Sequence, residues 1–387
     1  MAHLNAYLSL AGFYTFYFAT LGIWMPYWPL YMAHVGHTPA AIGLLTSLAM
    51  AVRLLGPPIW GRLADRSDSR KKIILLTSTG ALCASGLLLL GSHLALLTAG
   101  VALLHFFLVG CIALVETTAM ETVTRHGWDY GRIRLWGSSG FILLALGLGP
   151  LADRWGLILV PVSITLLLLL QTLTSIHLPD SETLPSNLPA QSFSLFRPRK
   201  MLWFNLMGLL MLLSHGAYYG FMSIHLETHG FSKTAIGALW ALGVVAEIAI
   251  LAGSNGILKR FSVSTILTTS LFLAALRWSI YSTTLSWPWL ILGQTLHAFT
   301  FGTFHIAAIR RVYETSPPRC RATAQSWFAS ISYGAGLGSG LLLAGWLYTR
   351  IGAQSLFALM AAIALVGTLA SLRSARLFTL DTLKISS

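Results

Sequence analysis

Eleven ionisable side chains lie in stretches of this chain that are otherwise apolar: Arg53, His105, Glu116, Glu121, Arg134, His215, His225, Glu247, Arg277, His297 and His305. In hydrocarbon each would cost at least ~2.5–3.5 kcal/mol, so each needs a physical reason to be there. Arg134 offers chemistry: its guanidinium is always charged, and its planar fork can hold a carboxylate through two parallel hydrogen bonds. Glu116, 18 residues upstream, can pair with that arginine and take up a proton when a substrate carboxylate displaces it. The plainer alternatives are an arginine reaching back to the membrane surface and a static ion pair. Glu247, Arg277 and His297 form a comparable set in the second half, in which a neutral Glu or His can carry a proton, a static network being the alternative. His215, Tyr218 and Tyr219, with Trp24, Tyr27 and Trp28 around Pro26, bring aromatic faces and a few hydrogen-bonding edges, which suit a flat aromatic ligand. Trp and Tyr also anchor helices at membrane interfaces, so that reading stays open. His105 and His305 read as hydrogen bonds between helices, Glu121 as a solvated residue near a helix end, and Arg53 has no partner recognisable in the sequence.

The elements that hold these groups are apolar helices. The composition is 55% hydrophobic and 10% charged, with a mean hydropathy of +0.72, which no soluble domain sustains. Runs long enough to cross ~30 Å of hydrocarbon recur along the chain. They predict twelve spans, at roughly 6–33, 39–61, 73–92, 94–123, 132–152, 157–177, 201–227, 234–256, 263–285, 288–309, 322–348 and 352–373. The net charge of +13 is distributed by side. With a cytoplasmic N-terminus, 20 of the 25 Lys and Arg fall in cytoplasmic connections and the tail, while Arg154, Lys233 and Arg350 fall opposite. That asymmetry places both termini in the cytoplasm and removes nucleic acid as the reason for the charge. Cys83, Cys111 and Cys320 give neither a disulfide framework nor metal-ligand spacing. There is no Walker, His-Glu-x-x-His or dinucleotide fingerprint, so ATP-driven pumping and metalloprotease chemistry have no residues to run on; with loops too short for a catalytic constellation or sensing domain, no enzyme, metal or cofactor is expected.

The second half repeats the first at an offset of 194 residues: Ala41-Ile42-Gly43 recurs as Ala235-Ile236-Gly237, Gly22 falls on Gly216, Gly36 on Gly230, Arg53 on Glu247 and Arg66 on Arg260. With two further residues inserted, Asp153-Arg154-Trp155-Gly156 meets Thr349-Arg350-Ile351-Gly352. A duplicated apolar unit of this size reads as a transporter of two six-helix halves, 1–178 and 201–387, facing a central cavity. The Leu-Pro-rich stretch 179–200 reads as a cytoplasmic linker. Glycines concentrated near 137–149 and 334–340 read as close-packing positions.

Gly61-Arg62-Leu63-Ala64-Asp65-Arg66, followed by Arg70-Lys71-Lys72, resembles the signature loop of the major facilitator superfamily, with Asp68 where a second glycine is usual. The resemblance implies an all-helical fold of twelve transmembrane helices. It also implies a gating role for Gly61, Asp65 and Arg66, with Gly61 giving a tight helix exit and Asp65 latching the cytoplasmic side through charge-assisted hydrogen bonds. Val115-Glu116 and Asp129-Tyr130-Gly131-Arg132-Ile133-Arg134 resemble the lactose permease group of sugar/proton symporters. That likeness implies substrate contact by Glu116 and Arg134 and an aromatic, Phe141, stacking on the substrate. It carries on to Glu247, Arg277 and His297, but Thr300 stands where that group has a carboxylate central to proton release. Nearly the whole chain resembles the bacterial 3-phenylpropionic acid transporter group, through Asp129–Ser138, His215–Phe221, Leu239–Glu247, Arg277-Trp278 and His305–Ala308. The expectation is a monomeric secondary transporter of the bacterial inner membrane, taking up a small aromatic carboxylate with protons. Substrate contact is expected from Arg134, Glu116, Phe141, His215, Tyr218, Tyr219, Trp24 and Trp28, and proton coupling from Glu116, Glu247, Arg277 and His297. A sugar or nucleoside remains the first alternative. Drug efflux, suggested by Gly147-x-Gly149-Pro150, is the second.

Overall fold

A computed structural model describes residues 2–67, 69–180, 199–317 and 320–386. The described residues are helical throughout, joined by short turns. The first six helices are α1 (Ala2–His34), α2 (Pro39–Asp65), α3 (Arg70–Leu87), α4 (Leu94–His126), α5 (Tyr130–Trp155) and α6 (Leu159–Ile176). The rest are α7 (Arg199–Ser214), α8 (Gly216–Thr228), α9 (Lys233–Ala252), α10 (Ser254–Arg260), α11 (Val263–Thr283), α12 (Trp287–His297), α13 (Phe304–Thr315), α14 (Arg321–Ala329) and α15 (Gly338–Ser386). π-helical runs at Ala298–Thr303 and Ser330–Leu337 join α12 to α13 and α14 to α15.

Helix starts follow side-chain caps. Thr38 accepts the Ala41 N–H with Pro39 at the first position of α2; Ser69 caps α3, Asp129 caps α5 and Ser262 caps α11. Gly352, at φ 75° and ψ 165°, breaks α15 where the sequence places the boundary between its last two spans.

Among the described residues nine helices are long and apolar enough to cross a membrane. Arg199–Thr228 counts as one of them, with α7 and α8 meeting at His215, and so does Thr323–Leu380. Two expected spans look different. The segment predicted at 73–92 is α3, which starts on three consecutive basic residues and ends at Leu87. The one predicted at 288–309 is α12, a π run and α13 rather than one α-helix. Of the linker expected at 179–200, residues 181–198 lie outside the described residues.

By internal contacts the chain forms two compact units, 1–187 with 223–241, and 188–222 with 242–387. In the first, α1 packs along α5 and α6, and α4 packs on α2 and α3. Segment 223–241 joins this unit through the end of α5. The Asp153 carboxylate accepts from the Lys233 and Thr234 N–H groups (2.9 and 3.0 Å) and from the Thr234 hydroxyl (2.7 Å). Tyr27 donates to the Ala145 carbonyl at 2.6 Å. In the second unit α15 packs on α7 and α11. The duplicated glycine serves one purpose twice: a Cβ at Gly22 would strike the Phe141 backbone of α5, and a Cβ at Gly216 the Gly340 backbone of α15. Only glycine lets those backbones approach.

Candidate substrate and coupling sites

In the first unit Asp129 accepts the Gly131 N–H at 2.7 Å and starts α5, which sets Arg134 in its second turn. The Arg134 guanidinium lies over the Phe18 ring, 3.9 Å from its centroid, and 5.6 Å from that of Tyr14. Both rings come from α1, stacked four residues apart. A guanidinium on aromatic faces is held by the ring quadrupoles without using its hydrogen-bonding edge. Among the described residues Arg134 makes no ion pair. Glu116, on α4 and half-buried, feels its charge but lies beyond salt-bridge contact. Phe141 is buried where α5 crosses Gly22, so the aromatic contact of Arg134 is Phe18. In the sequence Phe18 is one aromatic among several in α1. The signal available was the four-residue spacing of Tyr14 and Phe18 among other aromatics of α1.

Trp24 and Trp28 stack at 4.4 Å, and Trp24 meets the His105 ring edge-on at 4.5 Å. Both tryptophans are buried, and the Trp28 indole N–H has no hydrogen-bond partner among the described residues. His105 Nδ1 lies 3.0 Å from the Val101 carbonyl of its own helix, rather than bridging to a neighbour as expected. Arg53 acts electrostatically on His105 and Tyr17. Arg53, Glu116 and Arg134 all act electrostatically on Tyr17 of α1.

In the second unit Arg277 is fully buried. Its Nη1 donates to His297 Nδ1 at 3.0 Å and to the Thr300 hydroxyl at 3.4 Å, and its Nη2 to Gln294 Oε1 at 3.5 Å. Its guanidinium lies 4.2 Å from the Tyr218 ring centroid and 4.6 Å from that of Trp278. Glu247 Oε2 stands 3.8 Å from His297 Nε2. Tyr218 donates to Gln294 Oε1 at 2.9 Å and stands edge-on to Tyr219 at 5.2 Å. His215 Nδ1 lies 2.8 Å from the Met211 carbonyl, and its Nε2 has no partner among the described residues. The expected trio of Glu247, Arg277 and His297 is thus brought together with His215, Tyr218 and Tyr219 around it. Gln294, which tethers both Arg277 and Tyr218, was not anticipated: one amide in an apolar helix carries no charge to draw attention to it.

The loop after α2 departs from expectation. Gly61 sits inside α2, which runs on to Asp65, and nothing lies within 4 Å of a Cβ built there, so it forms no tight exit. Asp65 and Arg66 are exposed, and among the described residues Asp65 accepts no hydrogen bond. Asp68 lies outside the described residues. The link from the basic cluster is Arg70, which pairs with Glu121 at 2.7 Å, so Glu121 is engaged rather than merely solvated.

The apolar helices and close glycine contacts describe a multi-pass membrane protein, and its family and relatives make it a transporter of the major facilitator type rather than an enzyme. The chain belongs to the MFS_1 like family, whose model matches residues 7–359. It is 30% identical over 362 residues to the "Probable 3-phenylpropionic acid transporter" of Escherichia coli (strain K12), covering 92% of this chain and 94% of that one. It is 27% identical over 358 residues to the maltose permease of Geobacillus stearothermophilus, covering 89% of each. Among solved structures it is similar to the nucleoside transporter NupG, with a TM-score of 0.85 at 19% identity, covering 96% of this chain and 99% of that one.

Proposed function

We propose that this transporter takes up a small aromatic carboxylate, such as 3-phenylpropionate, together with protons, by alternating access. The observation that carries the reading is Arg134, half-buried, held over Phe18 and beside Tyr14, and without an ion-pair partner among the described residues. A carboxylate on the guanidinium edge would bring an attached aromatic ring against those same faces. Arg53 adds positive charge to this unit, which favours an anion. Glu116, Phe141, His215, Tyr218, Tyr219, Trp24 and Trp28 complete the proposed substrate contacts, and Glu116, Glu247, Arg277 and His297 the coupling set. The Escherichia coli relative named a probable 3-phenylpropionic acid transporter supports this substrate class. The maltose permease relative supports a second reading, in which Glu116 and Arg134 bond sugar hydroxyls.

The reading takes the chain as a monomer of the bacterial inner membrane with both termini cytoplasmic. It takes α3 and the α12–α13 segment as spans, and Thr323–Leu380 as two divided at Gly352, giving twelve. Residues 1–178 and 201–387 are its two halves, with Gly61, Asp65 and Arg66 at a cytoplasmic gate.

Uptake of labelled 3-phenylpropionate into proteoliposomes with an imposed inward proton gradient tests it. Wild type should accumulate the acid, and Arg134→Gln should lose accumulation. No uptake by correctly oriented wild-type protein would sink this substrate and favour a sugar or nucleoside.

A further inference from the structure

Arginine carries only N–H donors, so the Nδ1 of His297 that faces Arg277 must accept. While that bond lasts His297 is neutral, with its proton on Nε2, and cannot take a second one. A proton entering this set therefore has the Glu247 carboxylate to go to, 3.8 Å from Nε2. His297 from α12 faces Glu247, and Tyr219 from α8 and Tyr333 from the second π run lie within its electrostatic reach, with Arg277 and His215 behind His297. Gly302 of the first π run lies against its side chain, a Cβ there falling 3.2 Å from Glu247 Cγ.

Tyr333 is hydrogen-bonded onward to another titratable group: its hydroxyl lies 2.8 Å from His305 Nδ1. His305 follows His297 by eight residues along α12, the π run and α13, toward Arg310 and Arg311. Both partners stand at helix irregularities, Tyr333 within one π run and His305 two residues after the other. Such segments recur at functional sites. Phe301 packs edge-on to Tyr333 and parallel to His305, so one apolar ring flanks the contact.

We propose that Tyr333 and His305 form a proton-exit relay for Glu247. The carboxylic acid passes its proton through intervening water to the Tyr333 oxygen, as the hydroxyl passes its own to His305 Nδ1. This leaves a carboxylate and an imidazolium. The imidazolium then gives its Nε2 proton to water on the Arg310–Arg311 side. The inference rests on the proton-coupled reading above.

The first test needs no substrate. In the full-length reconstituted protein, the carboxylic-acid infrared band that Glu247→Gln abolishes is followed after an upward pH jump. Tyr333→Phe and His305→Asn, the latter able to keep the bond to Tyr333, should each slow its loss at least tenfold. Unchanged rates, or no such band in wild type at any pH, overturn the relay. Transport separates the two levels. With 3-phenylpropionate, maltose and uridine as probes, the variants should lose proton-driven accumulation at least tenfold while counterflow stays within twofold of wild type. An equal fall in both overturns the relay in favour of a structural role. Slowed deprotonation together with a wild type that shows counterflow but no proton-driven accumulation upholds the relay and overturns the symport reading.

Discussion

Arg134 concentrates the functional argument because its two attractions act on different parts of one group: rings hold the guanidinium face, and its edge remains for a ligand. Arg134→Lys keeps the charge but loses the fork and the stacking plane. Charge-assisted hydrogen bonds contribute about 1.5–3 kcal/mol, so half-saturation for 3-phenylpropionate should rise by roughly 10- to 100-fold. Phe18→Leu removes only the ring, about 0.5–1 kcal/mol, and should raise it by roughly two- to fivefold. Concentration dependence of uptake for the two variants checks both; equal effects would mean that Arg134 serves packing alone. The charged members of the sites were legible because a charge in an apolar run is costly and therefore conspicuous: Glu116, Arg134, Glu247, Arg277 and His297. Phe18, Gln294 and Tyr333 were not, because an aromatic or a lone amide is ordinary in an apolar helix until its neighbour is known. Arg53 was visible as a charge and unreadable as a role, since the groups it acts on, Tyr17 and His105, come from two other helices.

At the scale of elements, the repeat predicted which helices would make equivalent contacts, and the Gly22 and Gly216 approaches follow it. Irregularities were less legible. Neither π run contains a proline, so nothing local marks the break. Gly61 suggested a helix end, but its neighbours are compatible with helix and α2 continues to Asp65. Asp153 shows what a repeat can hide. It marked a duplicated segment in the sequence, whereas in the structure its carboxylate accepts the first N–H groups of α9 and stands 3.9 Å from the Lys233 ammonium. An anion at a helix N-terminus satisfies orphan donors and opposes the positive end of the dipole. Asp153→Ala should therefore cost about 1–2 kcal/mol and lower the thermal midpoint of the purified protein, while Asp153→Asn, which still accepts, should cost less. Equal midpoints for wild type and alanine variant would show that the cap contributes nothing.

The whole molecule poses a question of parity. Two segments of the proposed twelve fall outside the nine long apolar helices: α3, which opens on Arg70-Lys71-Lys72, and α12–α13, divided by a π run. If either failed to cross, every later connection would change sides, and the separation of 20 basic residues from three would collapse. Charge asymmetry selects orientation through the loops nearest the span ends, so it argues that both cross. Single cysteines, introduced after Cys83, Cys111 and Cys320 are replaced by serine, make this measurable with a membrane-impermeant thiol reagent. Ser67→Cys and Ser92→Cys flank α3, and Thr284→Cys and Arg321→Cys flank α12–α13. Ser67→Cys and Arg321→Cys should label only in inverted vesicles, and Ser92→Cys and Thr284→Cys only in right-side-out ones. Members of a pair labelling from the same side would remove that span, and reversal of all four would place the termini outside. The basic α3 start is then the informative case: with Arg70 paired to Glu121 and Lys71 and Lys72 following at the proposed cytoplasmic surface, three charges at the end of an 18-residue helix anchor a short span rather than prevent it.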